Sequence, residues 1–287
     1  MKKLLTIICL LMIVVISFIF INMLFEHKKY EDYNTKFTSL INQNTPEEIN
    51  LTKIQKMLLD YMKGSSDNTL KGKAFYNYRC EFFSTLKKME EKLTVTEEAY
   101  EQDLNKVNDE LSKIGIKAKT SEGMIYLVEN NDFSMQKFVP YLGKDWKDFY
   151  VIRKSENNEL FDDGALVITK EELRRRIIAW EKFLNTFPDF PENNEIKAKL
   201  NCYIANYLMA PYDFSVDNNK ISSESIKSFS NFLEQNKDSK FYPIVKLWNH
   251  LLKENNYKYS KALGKTDSKN SYNVKKYNKD IFDEFSP

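Results

Sequence analysis

Two histidines, three cysteines and five arginines are the side chains best suited to acid–base, nucleophilic or anion chemistry here. His27 follows a long apolar run, and His250 sits beside the Trp248/Leu251 stripe. A serine or cysteine triad would need one of these imidazoles. Neither stands near a Gly-x-Ser-x-Gly elbow, so His250 reads as a surface or partly buried residue. Zinc needs clustered His and Cys ligands, and the sequence has no such cluster. The seven glycines are scattered, so no phosphate-cradling loop is encoded. No metal and no cofactor are expected.

Adjacent acids occur at Glu47-Glu48, Glu90-Glu91, Glu97-Glu98, Asp162-Asp163 and Glu171-Glu172. Glycosidases place two carboxyls across a cleft. Most of these pairs instead begin helices, where the positive helix end favours acids, or lie on solvated faces. Asp162-Asp163-Gly164 is the loop pair. It reads as a turn, or as a pair of acids lining a site. Arg174-Arg175-Arg176 holds three of the five arginines. Successive helical residues diverge by about 100°, so two of the three could flank a groove and hold a carboxylate or phosphate. Alternatively, their stems cover Trp180 or Leu173. Arg174, Arg175, Arg176, Asp162 and Asp163 are the candidate ligand-binding residues. Trp146, Trp180 and Trp248 could line a peptide or carbohydrate groove, but Trp180 and Trp248 recur at helical spacing and read as core anchors.

The chain must supply elements that position such groups. Its 287 residues fit one large domain or two small ones. Apolar residues make up 42% and aromatics 14%, which argues against global disorder. Scarce Gly and Pro, seven each, favour helices over a turn-rich β-sandwich. The net charge of +2 offers no basic stripe for nucleic acid. Lys outnumbers Arg 38 to 5, the bias of an AT-rich bacterial coding sequence. Three cysteines make no disulfide framework. Cys80 and Cys202 read as two buried helix thiols, or as a pair in an oxidising compartment.

Residues 1–3 form a short cationic end. Leu4 to Phe25 follow without a charge, and only Thr6, Ser17 and Asn22 are polar. At about 1.5 Å per residue this run reaches ~33 Å, enough to cross a bilayer core of about 30 Å. A removed secretory signal would have a shorter apolar region and small residues at its cut site. Here the run ends Asn22-Met23-Leu24-Phe25-Glu26. An uncleaved anchor over residues 4–25 is expected, with the N-terminus inside and the domain extracytoplasmic. Lysine counts on the two sides are nearly equal, and long domains translocate regardless of charge.

Residues 26–168 read as a helical region. Tyr30, Tyr33, Phe37 and Leu40 continue a helix from the anchor. Thr45-Pro46-Glu47-Glu48 starts another, and Gly64 to Asn68 form a loop. Phe75, Tyr78, Phe82, Leu86, Met89 and Leu93 make the clearest stripe. Thr94-Val95-Thr96-Glu97 resembles a capping box, followed by Tyr100, Leu104, Val107, Leu111 and Ile114. Gly115 should stop that helix. Alternation then predicts a β-hairpin near 116–128. Ser134 can cap a short helix, Trp146, Phe149 and Ile152 suggest another, and residues 165–168 read as a short extended piece.

Residues 169–258 read as two tandem helical hairpins. Thr169 to Glu172 is a second capping-box match, opening a helix with Leu173, Ile177, Trp180 and Leu184. Pro188 and Pro191 break it. Ile196, Leu200, Ile204 and Tyr207 form the next stripe, and a polar loop runs from Ala210 to Asn219. Ile226, Phe229 and Leu233 mark a third helix, and Ile244, Trp248 and Leu251 a fourth. Residues 259–287 are rich in Lys, Asn and Ser and read as a flexible tail.

A shift of 49 positions places Ile177 on Ile226, Trp180 on Phe229, Phe183 on Phe232 and Leu184 on Leu233. It also places Asp189 on Asp238 and Ile196 on Val245. Over about residues 173–253 this pattern, with the stretch Trp180 to Asp189, resembles tetratricopeptide-like helical-hairpin repeats of bacterial envelope proteins. The offset exceeds the usual 34 residues or so of that family. The resemblance implies stacked hairpins that bind a protein or peptide partner in a concave groove. The expected fold is mainly α, with one transmembrane helix, stacked helical hairpins and a small β-hairpin. The expected role is a membrane-anchored interaction or scaffold protein of the cell envelope, with the bilayer and a protein or peptide as partners and no nucleic acid. The alternative is an envelope enzyme or inhibitor acting on peptidoglycan or a secreted protein through acids such as Asp162 and Asp163.

Overall fold

The computed structural model describes residues 2–43, 46–92, 100–121, 124–156, 160–162, 165–209, 214–215, 220–254 and 256–257. The predicted capping box at 94–97, Leu93 and the tail from 259 on lie outside the described residues. The fold is mainly α, with one N-terminal helix long and apolar enough to cross a membrane and a small antiparallel hairpin. The chain divides into two compact units, residues 1–150 and 151–287.

In the first unit, α1 (Lys2–Ile41), α2 (Glu47–Gly64) and α3 (Asn68–Lys92) pack against one another. α1 is one uninterrupted helix of 40 residues. From Leu11 to Phe25 every large apolar side chain is more than half exposed, while Tyr30, Tyr33 and Phe37 are buried. Thr45 lies outside the described residues, and Pro46 stands at the N-cap of α2, not at its first helical position. The α3 stripe is buried from Phe75 through Met89. α4 (Tyr100–Ser112) packs on β1 (Ile116–Ser121), and β2 (Met124–Glu129) packs on α3. The helix stripe expected on α4 is only half realised, since Val107 is exposed. α4 is held instead by Asn108, whose side-chain amide exchanges two hydrogen bonds with the backbone of Ala118 (3.1 and 2.7 Å). Gly115 takes φ +79°, and a Cβ there would meet the Phe133 ring at 2.5 Å. Glycine is required at this stop by conformation and by space.

α5 (Asn131–Lys137) is capped by Asn130, whose side chain accepts from the N–H groups of Asp132 and Phe133. Ser134 is therefore not the cap. It is buried within the helix, and its hydroxyl donates to Glu129 (2.7 Å). After a 3₁₀ turn over Val139–Tyr141, α6 (Lys144–Ser155) brings Trp146, Phe149 and Tyr150 into the core. Arg79 of α3 is buried there. It donates to Glu129 Oε2 at 2.7 Å and to the Tyr150 hydroxyl, and Tyr150 donates to Glu129 Oε1. Phe83, Trp146, Phe149 and Tyr150 place their rings 5.0–5.7 Å from its guanidinium. A buried charge persists only when paired and hydrogen-bonded, and this knot joins α3, β2, α5 and α6.

In the second unit, two-residue strands β3 (Phe161–Asp162) and β4 (Ala165–Leu166) form a minimal hairpin where one extended piece was expected. α7 (Lys170–Thr186) pairs with α8 (Asn193–Met209), α9 (Ser223–Gln235) with α10 (Tyr242–Glu254), and α7 also packs on α9. Thr169 caps α7, accepting from Glu172 N at 3.0 Å. A further pair joins β5 (Phe214–Ser215), in the stretch read as polar loop, to β6 (Lys220–Ile221), just past its end. The two helical corners repeat at the 49-residue offset. Phe187 N bonds Phe183 O at 2.9 Å, as Asn236 N bonds Phe232 O. Phe190 N bonds Phe187 O at 3.1 Å, as Ser239 N bonds Asn236 O. The expected face of α9 is rotated: Ser225, Ser228, Phe229 and Phe232 are buried, while Ile226 and Leu233 are half exposed. The reason is Tyr207 of α8. It packs on Phe229 and Phe232 and hydrogen-bonds Ser228 (3.0 Å), which turns the serines inward.

The first and second units are divided inside α6, ahead of the boundary near 168/169 read from sequence. Glu156, just past α6, accepts from Trp180 Nε1 (2.6 Å), Tyr203 OH (2.9 Å) and Lys199 Nζ (3.0 Å), fastening this segment to α7 and α8. Trp180 is fully buried and packs on Phe183. Trp180→Ala therefore removes a core ring and one of the three donors to the Glu156 carboxylate. It is expected to cost about 3–5 kcal/mol of stability, measured by chemical denaturation of the detergent-solubilised chain; a cost under about 1 kcal/mol would place the ring at the surface.

Candidate functional site

The end of the apolar run is a second polar junction of the first unit. Glu26 is the first charged residue after Phe25, and it is buried. Its carboxylate accepts from the Ser65 hydroxyl (2.6 Å), the Ser66 N–H (3.1 Å) and the Lys29 ammonium (2.9 Å). Lys29 also donates to the carbonyl of Gly64 at 2.8 Å, satisfying one of the orphan acceptors that end α2. Burial raises the Glu26 pKa, but the Ser65, Lys29 and Ser66 contacts outweigh it and hold the carboxyl at about 2. Every partner comes from α1 or from the turn after α2, so the end of α2 is tied to the point where α1 leaves its apolar run.

Above this joint, α1 and α2 run antiparallel and enclose a cleft of about 520 Å³. Tyr33 stacks on Tyr61 with centroids 4.8 Å apart, and Met57 adds an apolar wall. Lys29, Lys36, Lys53, Lys56, Asp32, Asp60 and Gly64 complete the lining. The Tyr33 hydroxyl is buried without a hydrogen-bond partner. Burial pushes its pKa far above the usual phenol value, so it stays a neutral donor at physiological pH. The sequence reading missed these residues. The available signal was weak: an acid at the end of an apolar run, and lysines three apart on α2.

The candidate residues read from sequence are placed differently. Arg174 is buried, pairs with Glu171 and donates to Asn236 Oδ1 at 2.7 Å, bridging α7 to the corner after α9. Arg176 is buried and bonds Glu172 Oε1 at 3.1 Å. Arg175 is exposed and pairs with Glu172 Oε2 at 2.6 Å. The three thus diverge, and two of them serve the packing of the hairpins. Asp162 lies in β3, but its side chain, like the whole of Asp163, lies outside the described residues. Trp146, Trp180 and Trp248 are all buried. Phe183, Phe190, Phe229, Phe232 and Phe241 are buried too, so the hairpins spend these rings inside. Cys80 and Cys202 are both free and exposed, correcting the expectation of buried thiols; each falls on the outer side of its helical stripe. His250 is exposed, 3.3 Å from Glu254.

Buried Glu181 of α7 accepts from the Ser239 hydroxyl (2.7 Å) and the Lys240 N–H, gripping the second corner. Beside it, Leu184, Asn185, Pro188, Asn193, Lys197 and Lys240 surround a smaller polar cavity of about 330 Å³. Lys170, also buried, donates to the carbonyls of Asn206 and Tyr207 (2.6 and 2.8 Å) near the end of α8. Among the described residues no group of His, Cys, Asp or Glu could hold a metal ion. No protein-family model, no curated protein and no solved structure matches this chain.

The Glu26 knot has a pH signature. An unfolded Glu26 titrates near 4.5 and the folded one near 2. Its contribution is complete above the unfolded value and is lost as pH falls from about 4.5 through 2. Glu26→Gln is expected to lower the denaturation midpoint at pH 7, with the gap to wild type closing as pH approaches 2. Parallel curves across that window would show that the knot carries no stability.

Proposed function

We propose that this protein is a single-pass, membrane-tethered helical module of the bacterial cell envelope that holds a protein or peptide partner close to the bilayer. One observation carries the reading. A single helix has its apolar side chains exposed on all sides from Leu11 to Phe25, and in its next turns it buries one face, Glu26, Tyr30, Tyr33 and Phe37, in the first unit. In water that exposed portion would be costly, at roughly 25 cal/mol per Å² of apolar surface; in lipid it is satisfied. The helix is unbroken where a signal peptide would need a cleavable stretch.

The tandem hairpins support the binding role. Their corners repeat in backbone hydrogen bonding, as stacked repeat units do. This is also what kinship with tetratricopeptide-like repeats would look like. The buried aromatic rings leave the polar cavity between the two corners as a more suitable contact surface than an aromatic groove. Met1-Lys2-Lys3 ahead of the apolar run resembles the start of a bacterial export signal, which supports an inside N-terminus and an extracytoplasmic domain.

Fractionation tests the tether. The full-length chain should stay with membranes through high salt and alkaline carbonate, and protease added to spheroplasts should digest the part beyond the anchor. Recovery of a shortened, freely soluble chain would overturn the proposal. Crosslinking in intact cells then identifies the partner.

A further inference from the structure

We propose that the cleft between α1 and α2 binds a polyol phosphate, supplied as the headgroup of an anionic glycerophospholipid or as a soluble glycerol phosphate. The lining has two complementary parts. Lys36, Lys53 and Lys56 face the cleft, and among the described residues none of them makes an ion pair. Three unpaired ammonium groups around one cavity suit a phosphate. Asp32 and Asp60 line the same cavity, and among the described residues they too make no ion pair. A carboxylate can only accept hydrogen bonds, so these acids suit the hydroxyls of a polyol. The stacked Tyr33 and Tyr61 rings and Met57 offer an apolar wall to a carbon skeleton. Tyr33 lines the cavity, and among the described residues its buried hydroxyl has no hydrogen-bond partner. Such an orphan is costly in a core and calls for a partner.

Position suits a lipid source. Lys29 stands four residues beyond Phe25, about 6 Å along the helix at 1.5 Å per residue. The headgroup layer on each side of a bilayer is roughly 5–8 Å deep. The lower end of the cleft, at Lys29 and Gly64, would lie at that depth. Lys36 would sit about 17 Å beyond Phe25, where a soluble phosphate could also arrive. The lipid arm rests on the proposed membrane tether; the soluble arm does not.

The test uses the full chain in a neutral maltoside detergent, with thermal unfolding followed by tryptophan fluorescence. The probes are dioctanoyl phosphatidylglycerol, glycerol 1-phosphate and dioctanoyl phosphatidylcholine. The expected result is a saturable rise in the unfolding midpoint with phosphatidylglycerol or glycerol 1-phosphate below about 1 mM, a modest binding free energy. Phosphatidylcholine, which lacks both net charge and hydroxyls, should have no such effect. A response to phosphatidylglycerol alone assigns the lipid source, and a response to glycerol 1-phosphate at the same concentrations assigns the soluble one. Replacing Lys36, Lys53 and Lys56 together by Gln, all at exposed positions, should weaken binding at least tenfold; Tyr33→Phe should weaken it less while keeping the stacked ring. The proposal is overturned if neither phosphate probe saturates, if phosphatidylcholine acts equally, or if the triple Gln variant binds like wild type. Loss of membrane association in fractionation leaves the glycerol phosphate result intact, so the two readings fail separately.

Discussion

One helix joins an exposed apolar stretch to a buried one without a hinge. From Leu11 to Phe25 α1 presents apolar side chains all round, and it then buries Tyr30, Tyr33 and Phe37 among α2 and α3. No proline or glycine interrupts it over 40 residues. A break would free the domain from the apolar segment; continuity instead makes the two move together. The change of environment is marked by Glu26, whose carboxylate is surrounded by a hydroxyl, an ammonium and an amide N–H from neighbouring turns. Placing a fully paired acid there fixes how far the apolar run extends. It also sets the end of α2, and with it the depth of the cleft.

Polar groups play the same fixing role deeper in each unit. Arg79 and Glu129 are both buried, and each is satisfied by further partners, including Tyr150 and Ser134. Apolar packing alone is tolerant of small rotations and slips. A buried ion pair is not, because removing one partner leaves a charge stranded at a cost of about 3–5 kcal/mol. In the second unit Arg174 and Glu181 of α7 reach the corner after α9, one through Asn236 and the other through Ser239 and Lys240. They hold the hairpins in one register, where repeating apolar stripes would permit several.

Much of the helical architecture was legible from spacing. The α3 stripe from Phe75 to Met89, the Thr169 cap and the breaks at Gly115, Pro188 and Pro191 all state local rules that the backbone obeys. Legibility failed where a distant residue decided. Ser134 has the composition of a cap, but Asn130 takes that role, because Glu129 needs the serine hydroxyl inside the core. On α9 the apolar letters Ile226 and Leu233 suggested the inner face. Tyr207 instead selects the face that carries Ser228. Arg174 and Arg176 read as candidate ligand groups because arginine forks suit anions; their buried state depends on Glu171, Glu172 and Asn236 being brought to them.

The sequence by itself determined the apolar length of the N-terminal run, the helical class, the small hairpin after Gly115 and the 49-residue echo between the two corners. Each follows from composition or from periodicity within one segment, which needs no knowledge of neighbours. Tertiary structure decided which charges are buried and which remain free. Lys29 is spent on Glu26 and Gly64, while Lys36, Lys53 and Lys56 remain around a cavity. These lysines are alike in sequence, since an ammonium group carries the same charge everywhere. Only the pairing of α1 with α2 determines whether a carboxylate, a carbonyl or an open cleft lies within its reach.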